Sequence, residues 1–454
     1  MQPNLDVTKV PAGAMALPAR VTIDRRGPRL DITLGSQLLT SASIGIRSID
    51  EVSDNLTQKL GLTLSPASGV YMVTPLGSRI VDKLYSLLSR EFERIGALRY
   101  MFPVLTPSHD LGDDGSRLQK FESTLLATKA AGRNFVLNPS SEETAAWTAI
   151  SSGPLSYRNL PRVLYDIGPR FRASVSAHGF HRAHEFHLME AYGLASDVEA
   201  AKDLYQSLLD ATSGVFRSLG LSMTTVQTLA GPNKDLPCTN FYLIVCSGDQ
   251  RPSVADERLV LDASGRIVQT AVTKDAGLVL AEGMQLAKGF RVAQVTNMGT
   301  GFSIATKLRF QDVRGKHAYP VMVNAGISIN KLLCAMAEVS TTVEGVSWPA
   351  AITPFDVAVV ALGAAGQPHW NAAEALSNNL ASNGHSLLFD DRHMDTDKKI
   401  RQQRFVGAPV RVIMGARGFA NGLIDIETPA DTIRVPLVDV QETVDRIVRC
   451  LSQP

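Results

Sequence analysis

The sequence lacks paired cysteines, a long hydrophobic run and an excess of charge of either sign. Its four cysteines include no Cys-x-x-Cys pair, which argues against a zinc finger and favours a reducing compartment over a disulfide framework. The longest uncharged apolar run, residues 357–366, is far shorter than the roughly 20 residues that span a bilayer, so we expect no membrane contact. No apolar segment follows the N-terminus, and we expect a cytoplasmic protein, with an organelle matrix as the alternative.

The charges of the chain nearly cancel. Lys and Arg total 45 and Asp and Glu total 44, which leaves a formal net charge of +1. Any contact with nucleic acid therefore requires a local basic patch rather than an overall field. The length of 454 residues suffices for roughly three domains of about 150 residues each.

Hydrophobic periodicity predicts the elements of the first part of the chain. Helical stripes cover residues 77–96 and 198–219, and residues 163–192 alternate on both sides of a polar loop, as in a long antiparallel hairpin. Residues 226–290 show little pattern, and residues 319–339 predict a strand followed by a helix.

From residue 356 onward, buried strands alternate with helices, which is typical of a small α/β domain with a mostly parallel sheet. The predicted strands are 357–362, 386–389 and 410–414, and the predicted helices are 371–381, 397–405 and 440–451. A Gly-, Ser- and Pro-containing break at 344–349 marks the boundary. We therefore predict an N-terminal arm at 1–60, a core at 61–345 and a second domain at 348–454.

The predicted hairpin gathers chemically useful side chains. On a strand, Arg182, His184, Phe186 and Glu190 point to one face because side chains alternate. A guanidinium can hold a phosphate through two hydrogen bonds, and an aromatic ring can stack on a base. A solvated charged face explains the same pattern, so the hairpin alone leaves both interpretations open.

Four histidines occur at intervals of three, at His178, His181, His184 and His187. On a helix this spacing would align them as metal ligands. On the predicted strand, alternation separates His184 from His181 and His187. We therefore predict no metal site and assign these histidines to the polar lining of a cleft.

Several sequence blocks follow one another in a fixed order. They are Gly69-Val-Tyr71-x-x-x-Pro75-x-Gly77, Phe102-Pro103, Leu137-Asn-Pro139, Ser156-Tyr157-x-x-Leu160-Pro161, Met298-Gly299-Thr300-x-Phe302-Ser303 and Gly326-Ile327-x-x-x-Lys331. Together with the hairpin, they resemble the catalytic domain of class II aminoacyl-tRNA synthetases, most closely prolyl-tRNA synthetase. The stretch from Gly384 through Asp390-Asp391-Arg392 to Arg411 resembles the anticodon-binding domain of that family.

This resemblance implies an α+β class II synthetase catalytic domain over 61–345, with an antiparallel sheet and flanking helices. It implies an α/β anticodon-binding-type domain over 348–454. Residues 226–290 form a divergent segment, in which the editing insertion of bacterial forms is absent or reduced. The resemblance further implies a homodimer formed through residues 77–107, tRNA or a tRNA-like RNA as partner, and ATP with Mg²⁺ as cofactors if the protein is active.

The resemblance also assigns roles to single residues. Arg172 and Lys331 correspond to the catalytic cations that hold the ATP phosphates. The implied ATP-binding set is completed by Arg182, Phe186 and Glu190, with Phe186 stacking on adenine. The implied amino-acid pocket consists of Ser140, Glu142, Cys238, Thr239 and Asn240.

The chain departs from the family pattern around this site. Lys331 replaces an arginine and loses its planar fork. Arg291 replaces a glutamate that helps to hold Mg²⁺, and Ser174 replaces a glutamate that contacts adenine. Thr239 and Asn240 replace a histidine and an acid. These changes oppose an unaltered mechanism, because adenylation depends on positioning and charge stabilisation.

Three functions remain open from the sequence. The number of changed groups favours a paralogue with lost or altered aminoacylation that acts through RNA or partner binding. The alternatives are a working ATP-dependent ligase that joins proline or a related amino acid to tRNA, and an amino-acid-activating enzyme with another acceptor. A basic run on a predicted helix, Lys398, Lys399, Arg401 and Arg404, predicts RNA contact, although a solvated helix face gives the same pattern.

Overall fold

The computed structural model describes residues 32–39, 55–108, 124–173, 179–230, 235–247, 253–270 and 280–452. All statements about the fold refer to these residues. None of the helices described is both long and apolar enough to cross a membrane.

The helices, in chain order, are α1 (Gly35–Leu38), α2 (Leu56–Lys59), α3 (Pro75–Glu93), α4 (Glu142–Ser151), α5 (Val198–Ser218), α6 (Gly301–Ala305), α7 (Ile329–Ser340), α8 (Pro368–Ser382), α9 (Thr396–Val406), α10 (Ala416–Ala420) and α11 (Val440–Ser452). Short 3₁₀ turns lie at Tyr157–Asn159, Phe180–Arg182, Ala350–Ile352 and Leu437–Asp439.

The strands before residue 345 are β1 (Ile32–Leu34), β2 (Thr63–Ala67), β3 (Val70–Val73), β4 (Leu98–Arg99), β5 (Leu105–Pro107), β6 (Leu126–Ala130), β7 (Arg133–Leu137), β8 (Arg162–Phe171), β9 (Glu185–Ala195), β10 (Thr224–Ala230), β11 (Leu236–Ser247), β12 (Glu257–Leu261), β13 (Ile267–Gln269), β14 (Gln285–Gly299), β15 (Phe310–Gln311), β16 (His317–Ala318) and β17 (Val321–Ser328). The later strands are β18 (Val357–Ala361), β19 (Leu387–Asp390), β20 (Val410–Met414), β21 (Leu423–Glu427) and β22 (Thr432–Pro436).

A nine-stranded sheet forms the core of the first part of the described chain. Its order is β10-β11-β14-β17-β9-β8-β4, and β12 and β13 attach through β14. Its pairs are antiparallel except for β4 with β8. Helices α3, α5 and α7 bury their apolar stripes against one face. The opposite face is therefore left for α4 and for a cavity.

The start of α3 illustrates how local sequence sets an element. The Thr74 hydroxyl accepts a hydrogen bond from the Gly77 N–H, and Pro75 occupies the first helical position, where its missing N–H costs nothing. A Cβ at Gly77 would collide with the carbonyl oxygen of Leu62, so a glycine is needed there. The buried stripe includes Ile80 and Leu84, as its periodicity predicts.

The described parts of the segment 226–290, whose sequence shows little pattern, form mainly strands. It contains most of β10, all of β11, β12 and β13, and the start of β14. Strand β11 is buried on both faces where it crosses the sheet, from Cys238 to Leu243, so it shows no alternation of polar and apolar residues. Period-two reasoning therefore missed these strands.

The C-terminal sheet has the order β1-β19-β18-β20-β21-β22, with parallel pairing from β1 to β20. The predicted mostly parallel α/β domain is confirmed, and strands β18 and β20 lie within a residue of their predicted bounds. Strand β1 belongs to the predicted N-terminal arm but pairs with β19 in this sheet. The antiparallel pair β21 and β22 was not predicted.

The C-terminal domain is attached to α3 by two basic side chains. The Arg79 Nε donates to the Pro354 carbonyl at 2.9 Å, and its guanidinium lies 4.3 Å from the ring centre of Phe355. The Lys83 ammonium donates to the Thr353 carbonyl at 2.6 Å. These contacts place the linker against the same helix that packs on the nine-stranded sheet.

Candidate active site

A cavity of about 400 Å³ opens on the sheet face opposite α3, α5 and α7. It brings together six residues that are distant in sequence, namely Ser140, Glu142, Arg172, Phe186, Arg291 and Lys331. Ser140 and Glu142 come from the start of α4. Arg172, Phe186 and Arg291 come from strands β8, β9 and β14 or their ends, and Lys331 lies in the first turn of α7, directly after β17. The strand pairing that forms the sheet thus also assembles this site.

Arg172 is held in place over Phe186. Its Nη2 and Nε donate to the Pro139 carbonyl at 2.7 and 3.1 Å, and its guanidinium carbon lies 5.1 Å from the Phe186 ring centre. The Arg172 N–H donates to the His184 carbonyl at 2.8 Å, which closes the hairpin. A planar cation beside an aromatic face can bind a phosphate and a stacked base side by side.

Strand β9 begins at Glu185, later than predicted. Phe186, Leu188 and Glu190 line the cavity, as side-chain alternation requires. Arg182 lies in the 3₁₀ turn Phe180–Arg182 rather than on the strand, yet it also lines the cavity. The strand prediction for Arg182 was therefore wrong, although its position in the cleft is as expected.

Glu190 is engaged in a buried ion-pair network. The Arg170 Nε donates to the Glu190 carboxylate at 2.7 Å, and its Nη2 donates to the Asp166 carboxylate at 2.9 Å. Burial tends to lower the pKa of Arg170, but the Glu190 and Asp166 carboxylates outweigh it and raise that pKa above its ordinary value. The contacts of Glu190 are therefore those of a structural anion, which leaves its implied ATP role a prediction.

Lys331 is paired with an acid that sequence reasoning missed. Its ammonium donates to the Asp256 carboxylate at 2.6 Å, and the Arg182 Nε lies 3.8 Å from the same oxygen. Asp256 is only 8% exposed and immediately precedes β12, in the segment without periodicity. Nearby, the Arg291 Nε lies 3.8 Å from the Glu257 carboxylate. Two acids of this segment thus face three cations of the cavity.

The floor of the cavity is set by strand register. Asn240 on β11 pairs with Gln294 on β14, which pairs with Gly326 on β17, which pairs with Glu190 on β9. A Cβ added to Gly326 would meet only the Met189 carbonyl, at 4.0 Å. This row of paired residues, from Asn240 to Glu190, therefore has an open space at Gly326, beside Gln294.

The implied amino-acid pocket is divided between two places. Ser140 and Glu142 line the cavity. Cys238, Thr239 and Asn240 are buried on β11, outside the cavity wall itself. Thr239 points to the helical side of the sheet, where its hydroxyl lies 2.8 Å from that of Tyr205 on α5. Its side chain is thus turned away from the face that a ligand would meet.

Comparison with known proteins identifies two domains in this chain. Residues 121–340 match the model of the tRNA synthetase class II core domain (G, H, P, S and T), and residues 356–449 match the anticodon binding domain. The chain belongs to the class II aminoacyl-tRNA synthetase family.

Within this family, several similar proteins are prolyl enzymes. A proline–tRNA ligase of Rhizorhabdus wittichii is 28% identical over 419 residues, which cover 87% of this chain and 95% of the relative. One of Caulobacter vibrioides is 27% identical over 404 residues, covering 83% and 90%. A Giardia lamblia prolyl-tRNA synthetase, solved with prolyl-adenylate, shares the fold with a TM-score of 0.68 at 18% identity, over 90% of this chain and 82% of that one.

The histidines of this class II synthetase chain turn in different directions. The His181 ring lies edge-on to Phe290, the His184 Nδ1 lies 3.3 Å from the Arg172 carbonyl, and the His187 Nδ1 contacts the Tyr85 hydroxyl. Among the residues that the structure describes, no three His, Cys, Asp or Glu side chains could share a metal ion. His178 and Ser174 lie outside the described residues.

The basic run of the anticodon-binding domain is only partly available to RNA. Lys399 is buried, and its ammonium donates to the Ala361 and Arg392 carbonyls at 2.5 and 2.7 Å. Burial lowers the pKa of Lys399 below its ordinary value. Its assignment to RNA contact was therefore wrong, because helix α9 turns this side chain inward. Arg404 pairs with the Glu427 carboxylate at 2.7 Å, while Lys398 and Arg401 lie on the exposed face.

Proposed function

We propose that this chain binds adenine nucleotide in the cavity and activates an amino acid as an altered relative of the proline–tRNA ligases. The observation that carries the proposal is the guanidinium of Arg172 held over the Phe186 ring at the wall of an open cavity. Glu142 and Lys331 line the same space. A cleft filled by Arg291 or by the histidines would have favoured a binding protein without catalysis, and the cavity retains about 400 Å³.

The cavity residues suit the first half of a ligase reaction. Arg172 would hold the α-phosphate and the substrate carboxylate, while Phe186 stacks on adenine. A carboxylate oxygen of the amino acid attacks the α-phosphorus and forms a new P–O bond. The bond to the bridging oxygen breaks, and pyrophosphate leaves with the electron pair. Glu142, at the positive end of α4, would accept hydrogen bonds from the ammonium group of the amino acid.

The residues do not fit the magnesium site that the family implies. Arg291 places a guanidinium in the cavity, and the Glu190 and Asp256 carboxylates are occupied by Arg170 and Lys331. Mg²⁺ requires hard oxygen donors that are free of competing cations. Charge neutralisation of the phosphates therefore falls to Arg172, Lys331 and Arg291 rather than to a metal ion.

Amino-acid-dependent ATP–pyrophosphate exchange tests this proposal, with ATP binding measured alongside by calorimetry. Exchange supports amino-acid activation. ATP binding without exchange for any amino acid would contradict activation and favour a nucleotide-binding paralogue. Absence of both would favour a protein that acts only through RNA or protein partners.

Asp256 is expected to weaken nucleotide binding, because it neutralises Lys331 in the cavity. Replacing Asp256 by asparagine keeps the size of the side chain and frees the ammonium for a phosphate. We expect ATP to bind about tenfold more tightly, which corresponds to about 1.4 kcal/mol. Calorimetric titration of Asp256→Asn with ATP measures this change.

The matched control is Asp203→Asn, which removes the same charge from the exposed face of α5. It should leave the ATP affinity unchanged. Weaker ATP binding by Asp256→Asn would show that Asp256 positions Lys331 rather than competing with phosphate.

We propose that the protein forms a homodimer through residues 77–107. Three apolar side chains in this region are exposed to solvent, Leu98, Met101 and Leu105, and Met101 is 91% exposed. Exposed apolar groups in one region favour association. We expect light scattering at micromolar concentration to give twice the mass of one chain, and Met101→Asp to shift it toward the monomer.

Val438 provides the control for this experiment, because it is 88% exposed but belongs to the C-terminal domain. Val438→Asp should leave the measured mass unchanged. A monomer in the unsubstituted protein would overturn the proposed dimer.

The proposed RNA partner is a tRNA or tRNA-like molecule that contacts the exposed face of α9. Substituting both Lys398 and Arg401 by glutamate reverses two positive charges and should weaken tRNA binding at least about tenfold, with a shallower salt dependence. Filter binding at several salt concentrations measures both effects. The control exchanges Arg314 and Lys316, two exposed cations of the catalytic domain, for glutamate. Equal losses in both double variants would contradict a specific contact on α9.

A further inference from the structure

The sheet beside the cavity presents a wall of uncharged polar side chains. On the same face as Gln294, strand pairing places four polar residues next to one another, Thr228 on β10, Cys238 and Asn240 on β11 and Thr296 on β14, beside the apolar Val226 that pairs with Asn240. These five polar residues carry hydroxyl, thiol and carboxamide groups, and their only methyl groups are those of the two threonines. Such a wall differs from the apolar surface that a saturated ring requires.

These groups contact one another in a defined way. The Gln294 Nε2 donates to the Cys238 sulfur at 2.9 Å, and the Thr296 hydroxyl lies 3.4 Å from that sulfur. The Asn240 Nδ2 donates to the Thr228 hydroxyl at 3.3 Å. The N–H groups of both carboxamides therefore point to other residues of this wall.

The acceptor side of this wall is incomplete. Asn240 is only 5% exposed, and its Oδ1 finds no donor among the residues that the structure describes. A buried acceptor without a partner destabilises the protein, unless a ligand supplies the donor. Gln294 lines the cavity and pairs with Asn240 across β11 and β14, so this acceptor lies one strand away from the ligand space.

We infer that the cavity selects an amino acid whose small uncharged side chain donates a hydrogen bond, a hydroxyl or a carboxamide, rather than proline. This inference rests on the proposed function and adds the substrate class to it. Gly326 leaves room for the substrate backbone, and the side chain extends along the row toward Gln294 and Asn240. A proline ring would present only C–H groups to this wall and would leave its acceptors unpaired.

Calorimetry with non-hydrolysable adenylate analogues tests the inference without requiring catalysis. The analogues are threonyl-, asparaginyl- and prolyl-sulfamoyl adenosine, with ATP measured in parallel. We expect the threonyl or the asparaginyl analogue to bind at least about tenfold more tightly than the prolyl analogue. In Gln294→Met, which keeps the length of the side chain but removes its carboxamide, this preference should fall to about threefold or less.

Gln227→Met is the control, because Gln227 lies on the exposed face of β10 and should leave the preference unchanged. Tightest binding of the prolyl analogue would overturn this inference and leave the proposed function intact. Failure of every analogue to bind more tightly than ATP would likewise overturn it. Failure of ATP as well as all analogues would overturn the proposed function. The preference of the unsubstituted protein decides the matter even if Gln294→Met does not fold.

Discussion

Arg172→Ala is expected to lower amino-acid-dependent ATP–pyrophosphate exchange by at least about 100-fold. The substitution removes the planar cation that stands over Phe186 and faces the cavity. The α-phosphate then loses its charge-assisted hydrogen bonds at the point where negative charge develops in the reaction. ATP affinity should fall in parallel, because the same group binds the ground-state phosphate.

Two further variants make this result specific. Arg172→Lys keeps the charge but cannot form a bidentate hydrogen bond with the phosphate. We therefore expect it to retain only part of the ATP–pyrophosphate exchange activity. Arg158→Ala removes an exposed guanidinium that rests on Tyr157 and should have no effect. Full exchange activity in Arg172→Ala would exclude this arginine from the reaction and contradict the assignment of the cavity.

Arg170→Met should produce the largest loss of stability, about 3–5 kcal/mol in the free energy of unfolding. Arg170 is only 1% exposed and holds both Glu190 and Asp166. Removing the cation leaves two buried carboxylates facing each other without compensation, which costs far more than the contact itself contributes. Urea unfolding followed by circular dichroism measures the difference.

Arg434→Met is the matched control, because its ion pair with Asp425 lies on the surface and its side chain is 67% exposed. Exposed pairs contribute about 0–1 kcal/mol, so this variant should unfold nearly as the unsubstituted protein does. Combining Arg170→Met with Glu190→Gln and Asp166→Asn should restore part of the stability. If Arg170→Met destabilises no more than the control, the network is not an essential part of the core.

In the hairpin of β8 and β9, side-chain alternation predicted some positions correctly and others wrongly. Alternation correctly grouped Phe186 with Glu190, because a strand imposes its period on any sequence it contains. The same reasoning placed Arg182 on the strand, whereas the chain forms a 3₁₀ turn there. The ATP role of Glu190 came from the family resemblance, and only the neighbouring strand β8 shows that Arg170 contacts that carboxylate.

Ordered sequence motifs were enough to indicate the family, and through that resemblance they assigned Arg172 and Phe186 to one nucleotide site. Hydrophobic periodicity was enough to indicate the α/β C-terminal domain, because it depends on residues close together in the sequence. The contact of Asp256 with Lys331 and the burial of Lys399 emerge only in the folded chain. Both depend on strands and helices that meet across long stretches of chain, since a charged side chain's role is set by what tertiary contact places beside it.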